Sequence, residues 1–176
     1  MGFNVTTADL QKGDLERRIT EAFSANGVPL KHLILEVNEA VFVNDDLVAN
    51  EIKSLRERGM RVALDDFGTG YASLTHLLKF PVDIIKIDKS FVDQIASDKS
   101  SAVIVQSLLD IARQLDMRVV AEGVETKDQL DILMSMGCLL GQGYHFSPPT
   151  SAAMTVDRLR NFAQRPDVVE EPPKGT

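Results

Sequence analysis

Polar side chains, most of them acidic, follow almost every short apolar run in this 176-residue sequence. If the apolar runs are parallel strands of one barrel, these side chains converge on one rim. Crowded carboxylates repel one another unless a cation neutralises them, and oxygen ligands suit Mg²⁺ or Mn²⁺ best. The pattern therefore predicts a hard divalent metal site. In chain order the residues are Asn4, Glu36, Glu39, Asp65, Asp66, Lys86, Asp88, Glu122, Glu125 and Gln142.

Lys86 adds a cation that belongs to the protein itself. It follows Ile84 and Ile85 and precedes Ile87, so a strand here is predicted to direct the ammonium away from those isoleucines and into the barrel mouth. A lysine in that place binds phosphate or polarises water. Carboxylates, a metal and a lysine together fit metal-assisted hydrolysis of a phosphodiester. The residues by themselves define no more than this reaction class.

A zinc site of the usual nitrogen and sulfur type is not indicated. His32, His76 and His145 show no paired spacing, and Cys138 is the single cysteine. The histidines are better explained as surface or packing residues.

Each acidic position also has a simpler explanation. An acidic residue after one strand is a helix cap or a solvated loop residue in about two of three cases, by our weighting. Asp66 alone fits a helix cap, and Gly68 to Gly70 alone fit a tight turn. The same coincidence at six consecutive strand ends is much harder to accept, which favours a shared site.

The elements that would position these residues alternate along the chain. Strands are predicted at Phe3–Thr6, Leu33–Val37, Val62–Leu64, Ile84–Ile87, Val119–Ala121 and, more weakly, Tyr144–Phe146. Helices are predicted at Leu15–Asn26, Asp46–Arg58, Ser101–Gln114 and Lys127–Met136, with stops at Gly27, Gly59 and Gly137. Repeated βα units give an open doubly wound sheet or a closed barrel. Polar residues after nearly every strand favour a TIM-type barrel, because an open sheet concentrates its site at one switch point.

Composition limits the partners that the chain can have. A formal charge of −7 and an isoelectric point near 4.9 argue against binding DNA or RNA through the phosphate backbone. No apolar run reaches the roughly 20 residues of a membrane helix, and the single cysteine agrees with a cytoplasmic protein. We expect one domain over residues 1–160 and a disordered proline-rich tail over residues 161–176.

Five motifs, taken together and in order, resemble the EAL family of cyclic-di-GMP phosphodiesterases. The resemblance implies an α/β fold, a modified TIM barrel, and hydrolysis of the bacterial second messenger cyclic di-GMP to linear pGpG with Mg²⁺ or Mn²⁺. It also implies a homodimer, with sensory or diguanylate-cyclase domains in a longer parent chain. The motifs are Ile34–Glu39 (ILEVNE), Ala63–Leu74 (ALDDFGTGYASL), Pro81–Asp88 (PVDIIKID), Val120–Glu125 (VAEGVE) and Gly141–Tyr144 (GQGY).

The same resemblance assigns roles to the residues. Asn4, Glu36 and Asp65 are expected to bind a metal directly, with Asp66 and Asp88 placed for a second metal or its water. Lys86 would hold the catalytic water, and Glu122 would act as general base or as a metal ligand. Further expectations concern substrate-contacting or supporting positions and one loop. The supporting positions are Glu39, Glu125 and Gln142, and the loop, which Glu39 would steady, contains Phe67, Gly68, Thr69 and Gly70.

Two departures from the family pattern limit these expectations. Asn38 stands where the family usually has Thr, which removes no ligand. The chain also starts at the strand that contains Asn4, so the first βα region of the barrel, with the Glu-Ala-Leu signature, is expected to be missing. Two alternatives to an active enzyme follow, a catalytically incomplete module that binds cyclic di-GMP and an inactive fragment.

Overall fold

The computed structural model describes residues 1–38, 41, 46–67 and 82–163, and within them six strands form one parallel sheet. Strands that are neighbours in the chain are neighbours in the sheet. A doubly wound sheet instead reverses its strand order at a switch point. The unbroken order therefore confirms the α/β barrel class, with these strands forming part of a barrel wall. They are β1 (Gly2–Asn4), β2 (Ile34–Asn38), β3 (Arg61–Phe67), β4 (Ile84–Ile87), β5 (Arg118–Ala121) and β6 (Leu140–Gly141).

Helices connect the strands, as βα units require. The four helices predicted from the sequence are present, with ends that agree to within two residues. Three others were not predicted. The helices in the described ranges are α1 (Thr7–Gln11), α2 (Leu15–Ser24), α3 (Asp46–Glu57), α4 (Lys89–Gln94), α5 (Lys99–Gln114), α6 (Lys127–Ser135) and α7 (Ala152–Ala163), with a 3-10 turn at Leu30–His32.

Local sequence signals explain where the helices begin and end. Thr6 and Thr126 form capping boxes at the starts of α1 and α6. Asp88 and Asp98 cap α4 and α5 by accepting hydrogen bonds from backbone amides of the first turn. Gly27, Gly59 and Gly137 all have positive φ angles, which confirms the predicted stops.

Alternation along the strands separates a packed face from a polar one. Leu35 pairs with Val62 and Leu64 pairs with Ile85, and these four fully buried residues lie on one face. They belong to one apolar cluster with helix residues such as Ile52 of α3 and Val105 of α5. Successive strand residues point to opposite faces, so the residues between them are turned away from this cluster. Those intervening residues include most of the candidate site.

Two details of the strand predictions are wrong. The last strand is Leu140–Gly141, whereas Tyr144–Phe146 form a turn in which the Phe146 amide donates to the Gly143 carbonyl. The apolar character of Tyr144–Phe146 is a weak local signal, and backbone pairing to β5 selects the earlier segment instead. The predicted face of Ile84 is also wrong. Ile84 lies two positions before Lys86 and is therefore on the same face of β4. Only Ile85 and Ile87 lie opposite Lys86.

The chain divides into two compact units, Met1–Phe146 and Ser147–Thr176. The described part of the second unit contains α7, on which Met154 and Leu159 are exposed. Most of the predicted tail, residues 164–176, lies outside the described residues. Across the described ranges, no helix has both the length and the apolar character to cross a membrane.

Replacing Asp83 with alanine is expected to lower the free energy of unfolding by about 2 kcal/mol, because its carboxylate joins three donors. Arg56 donates to both oxygens, at 2.6 and 3.1 Å, and the Val62 amide donates to Oδ2 at 2.8 Å. Urea denaturation measures the change. The control is Asp110→Ala, which removes a more exposed pair with Arg113 and should cost well under 1 kcal/mol. Equal losses in the two variants would contradict the prediction.

Candidate active site at the carboxyl ends of the strands

Lys86 lies at the centre of a cluster of carboxylates on the polar face of the sheet. Its ammonium nitrogen Nζ is 2.8 Å from Glu36 Oε2, 2.9 Å from Asp65 Oδ1 and 2.6 Å from Glu122 Oε1. These partners come from β2, from β3 and from the segment that directly follows β5. Four parallel strands thus bring four predicted site residues into direct contact.

Burial and hydrogen bonding act in opposite directions on Lys86. Only 6% of the residue is exposed, and loss of water favours the neutral amine. Hydrogen bonds to Glu122, Glu36 and Asp65 outweigh this desolvation and raise the pKa of Lys86 well above that of an ordinary lysine. The side chain is therefore a permanent cation at neutral pH and can act as a donor and a charge, but not as a base.

Glu122 is held from three directions. Its backbone amide donates to the Ile87 carbonyl at 3.1 Å, which ties the end of β5 to the end of β4. Gln142 Nε2 donates to Glu122 Oε1 at 2.6 Å, so Gln142 and Lys86 use the same carboxylate oxygen. The contacts with Gln142 and Lys86 both use Oε1 and leave Oε2 out. Burial is the largest influence on the pKa of Glu122 and raises it, and the hydrogen bond from Lys86 opposes that rise.

Asp65 and Asp66 are neighbours whose carboxylates reach the same place. In a regular strand they would point to opposite faces. The β3–β4 register shifts between Leu64 and Phe67, and Asp66 has a φ angle of 54°. Such a bulge redirects a side chain. Oxygens of Asp65, Asp66 and Glu122 consequently lie within 4.8 Å of one another.

This oxygen cluster fits a hard divalent cation. All three side chains offer carboxylate oxygens, which are the ligands that Mg²⁺, Mn²⁺ and Ca²⁺ prefer. Burial, followed by repulsion from Asp65 and Asp88, raises the pKa of Asp66. A bound cation would therefore reduce the repulsion among these carboxylates. The Lys86 ammonium shows that the same group of carboxylates already holds one positive charge.

Asp88 and Asn4 flank the cluster. Asp88 caps α4, since its Oδ1 accepts from the Ser90 amide at 3.0 Å, so the simple capping explanation is correct for this residue. It is nevertheless close enough to Asp66 to raise the pKa of that residue. Asn4 on β1 pairs in register with Glu36 on β2, and the Asn4 side chain is exposed. Both residues lie at strand ends beside the cluster.

Glu125 has a different environment from Glu122. Its Oε1 is 2.7 Å from Lys89 Nζ, and its backbone amide donates to Gln129 Oε1 at 2.8 Å. The contact with Lys89 was not anticipated from the sequence. Lys89 follows the capping residue Asp88 directly, and this position is the only sequence signal that places it near the cluster.

Phe67 is the one residue of the predicted loop Phe67–Gly70 that lies within the described residues. Phe67 is buried at the end of β3 and pairs with Ile87. Glu39, Gly68, Thr69, Gly70 and His76 lie outside the described residues.

Gly2 is a second position near the cluster that was not predicted from the sequence. It lies two residues before Asn4 and therefore on the same face of β1. A Cβ atom at Gly2 would overlap the carboxylate of Glu36, one of the partners of Lys86. The absence of a side chain at residue 2 thus leaves room for that carboxylate.

Replacing Gly2 with alanine is expected to destabilise the protein by about 1 kcal/mol, because the methyl group displaces the Glu36 carboxylate from Lys86. This sign is opposite to the usual gain when glycine becomes alanine in a strand. Gly141→Ala on β6 is the matched control, since its Cβ would meet Val124 Cγ2 at an ordinary 3.4 Å. A urea denaturation series in which Gly2→Ala is as stable as Gly141→Ala would refute the displacement.

Comparison with known proteins identifies this architecture. A family model described as the EAL domain matches residues 1–149. The cyclic di-GMP phosphodiesterase NbdA of Pseudomonas aeruginosa is 38% identical over 160 residues, which are 90% of this chain and 20% of NbdA. The oxygen sensor protein DosP of Escherichia coli is 35% identical over 153 residues, which are 86% of this chain and 19% of DosP. The chain thus spans about a fifth of the length of these curated relatives.

A solved structure agrees with the fold assignment. BlrP1 of Klebsiella pneumoniae, in a manganese and cyclic-di-GMP complex at pH 9.0, superposes with a TM-score of 0.79 at 34% identity. The superposition covers 84% of this chain and 38% of the BlrP1 chain. With the family match over residues 1–149, these likenesses confirm the resemblance seen in the motifs. The chain belongs to the EAL domain family.

Proposed function

We propose that this chain carries a metal-dependent phosphodiesterase site that hydrolyses cyclic di-GMP to linear pGpG. One observation carries the proposal, namely the buried Lys86 ammonium in contact with Glu36, Asp65 and Glu122 at the carboxyl ends of the strands. A parallel barrel places its catalytic groups at that end. A permanent cation among carboxylates suits a reaction in which negative charge grows on phosphoryl oxygens.

The choice of substrate rests on the relatives. NbdA is named a cyclic di-GMP phosphodiesterase, and BlrP1 was solved with manganese and cyclic di-GMP. We extend that substrate to this chain because Glu36, Asp65 and Glu122, which lie in three of the family-like motifs, all contact Lys86. Manganese or magnesium is proposed for the same reason, supported by the oxygen donors of Asp65, Asp66 and Glu122.

Five residues are proposed to hold the metal. Asn4, Glu36 and Asp65 would bind one ion directly, while Asp66 and Asp88 would hold a second ion or its water. When bound, a divalent cation lowers the pKa of a coordinated water and stabilises charge on the phosphoryl oxygens. Burial, and then repulsion from Asp65 and Asp88, raises the pKa of Asp66, and a bound cation would offset that repulsion.

Glu122 and Lys86 are proposed to handle the attacking water. Glu122 Oε1 is engaged by Lys86 and Gln142, so Oε2 is the atom that would accept the proton of the water. Lys86, which stays protonated, would donate a hydrogen bond that orients that water. The water oxygen forms a bond to phosphorus as its proton passes to Glu122 Oε2. The P–O3′ bond breaks, and the O3′ oxygen leaves and takes up a proton to become the 3′-hydroxyl. The phosphate then remains on the 5′ side, as the name pGpG requires.

Glu125 and Gln142 are proposed to support the site. Gln142 fixes one oxygen of Glu122, and Glu125 forms an ion pair with Lys89 on α4. The proposed loop role of Phe67, Gly68, Thr69 and Gly70, its support by Glu39, and a homodimer rest on the family resemblance alone. A cytoplasmic location is proposed from the single cysteine. Sedimentation analysis of the purified chain with and without cyclic di-GMP would test the dimer.

The function is tested by incubating the purified chain with cyclic di-GMP and following pGpG by chromatography. Separate reactions contain Mg²⁺, Mn²⁺ or a chelator. We expect pGpG with either metal and none with the chelator. Binding of cyclic di-GMP without hydrolysis, measured by calorimetry, would replace the enzyme assignment with a binding module. A folded chain that neither binds nor hydrolyses cyclic di-GMP would refute both.

A further inference from the structure

Lys89 lies between two turns that carry site residues. It is the first residue of α4 and follows Asp88, which caps that helix. Its ammonium reaches across to the turn after β5, where Nζ is 2.7 Å from Glu125 Oε1. It also contacts Asp93 one helical turn later, at 2.9 Å. Both hydrogen bonds raise the pKa of Lys89, with that to Glu125 the larger, so the link is between charged groups.

The aliphatic part of Lys89 makes a separate contact. A Cβ atom at Gly123 would overlap Lys89 Cγ and would lie 2.7 Å from Cδ. The lysine stem therefore lies directly over the Cα atom of Gly123, the residue that follows Glu122. Gly123 has a φ angle of 67°, which other residues rarely adopt. Lys89 thus covers Gly123 with its stem and holds Glu125 with its ammonium.

Gly123 is a weak point in the support of Glu122. Glycine changes between left-handed and right-handed conformations at little steric cost, so the sequence does not restrict the backbone there. The neighbouring backbone is anchored, because the Glu122 amide donates to the Ile87 carbonyl and the Val124 amide donates to the Gln142 carbonyl. The stem of Lys89 covers Gly123 between those two anchors.

We propose that Lys89 is a positioning residue that keeps the turn over Gly123 in the conformation that aims Glu122 at the reacting water. The inference rests on the proposed phosphodiesterase function. Lys89 itself touches neither the water nor the phosphate in this proposal. It acts through the backbone that carries Glu122 and through the neutralisation of Glu125.

Lys89→Ala is the main test. We expect kcat for cyclic di-GMP to fall about tenfold while KM changes less than about threefold, since misplacement of a catalytic group slows the chemical step more than it weakens binding. Lys89→Arg keeps a long stem and the charge, and should restore kcat to within about threefold of the wild type. A Lys89→Arg variant as slow as Lys89→Ala would contradict the role given to the stem and the charge.

Lys99→Ala is the matched control. Lys99 is also the first residue of a helix that follows a capping aspartate, Asp98, but that helix is α5. The Lys99→Ala variant should leave kcat unchanged. A second measurement, amide hydrogen exchange, does not depend on activity. Lys89→Ala should speed exchange of residues 123–125 at least about threefold relative to the rest of the chain, whereas Lys99→Ala should not.

The outcomes separate this inference from the proposed function. Wild-type kcat in Lys89→Ala, or unchanged exchange in the turn, would overturn the positioning role. Exchange that rises evenly along the whole chain would also overturn it, because the lysine would then act on global stability. If the wild-type chain hydrolyses no cyclic di-GMP, the proposed function fails, and the exchange experiment still decides whether Lys89 holds the turn.

Discussion

Replacing Glu122 with glutamine is expected to lower the turnover of cyclic di-GMP by at least about a hundredfold, because the group that accepts the proton of the water is lost. Glutamine has nearly the same shape, and its amide oxygen can still accept from Lys86. Lys86 also keeps Glu36 and Asp65 as partners, at 2.8 and 2.9 Å. The fold and the free energy of unfolding should therefore change little. Steady-state kinetics with Mn²⁺ measure the effect on kcat.

The control for this variant is Glu57→Gln, the same chemical change on the exposed surface of α3. Glu57 is 68% exposed and lies 3.9 Å from Lys53, a pair that contributes little to stability. Its turnover should equal that of the wild type. Near-normal turnover in Glu122→Gln would remove Glu122 from the mechanism and leave it as a structural partner of Lys86.

Replacing Lys86 with methionine is expected to have the second large effect, because it removes the shared counter-ion of three carboxylates. Breaking a buried ion pair from one side typically costs about 3–5 kcal/mol of stability, since the remaining charges are left uncompensated. The Lys86 side chain is 8% exposed, and those of Glu36 and Glu122 are 19% and 16% exposed. Turnover should also fall at least about a hundredfold. Urea denaturation and the kinetic assay measure the two effects.

The pH dependence of this loss follows from the direction of the pKa shifts. Burial raises the pKa of Glu122 and Lys86 opposes that rise, so removal of Lys86 should raise the pKa of Glu122 further. A carboxyl group with a raised pKa favours the folded state below its ordinary pKa and loses that contribution as pH rises through the folded value. The wild type loses less stability as the pH rises, because Lys86 stays protonated and compensates the carboxylates. The stability difference should therefore be large at pH 7 and shrink as the pH falls toward about 4, the ordinary carboxyl pKa.

Added Mn²⁺ provides an independent check on the same variant. A divalent cation bound by the oxygen cluster replaces part of the missing positive charge and stabilises the folded state by mass action. Lys86→Met should therefore gain more stability from Mn²⁺ than the wild type does. Lys53→Met on the surface of α3 should lose less than about 0.5 kcal/mol and respond to Mn²⁺ as the wild type does. A loss of equal size in the two lysine variants would contradict the central role of Lys86.

The sequence predicted those helices and strands well whose signals lie within or next to the element itself. Gly137 signals the end of a helix, and the helix before it, α6, was predicted to within one residue of its observed bounds. The strand Ile84–Ile87 was also predicted with its observed bounds. In contrast, β6 has two residues and is defined by hydrogen bonds to β5, which no local pattern records.

The position of Asp66 shows where a local pattern fails. A period of two places Asp65 and Asp66 on opposite faces, whereas the register shift and the left-handed φ of Asp66 bring both carboxylates together. That shift depends on how β3 pairs with β4. It is a property of two strands and cannot be obtained from either one alone.

What the sequence determined by itself is the order of the βα units, the polar residues at the strand ends and the family. Only the tertiary structure decided which of those residues touch. Glu36 and Lys86 lie 50 residues apart in the chain, yet their side chains meet at 2.8 Å, and Lys89 meets Glu125 across 36 residues. The physical reason is that strand periodicity specifies the face on which a side chain lies, while pairing between strands sets its neighbours.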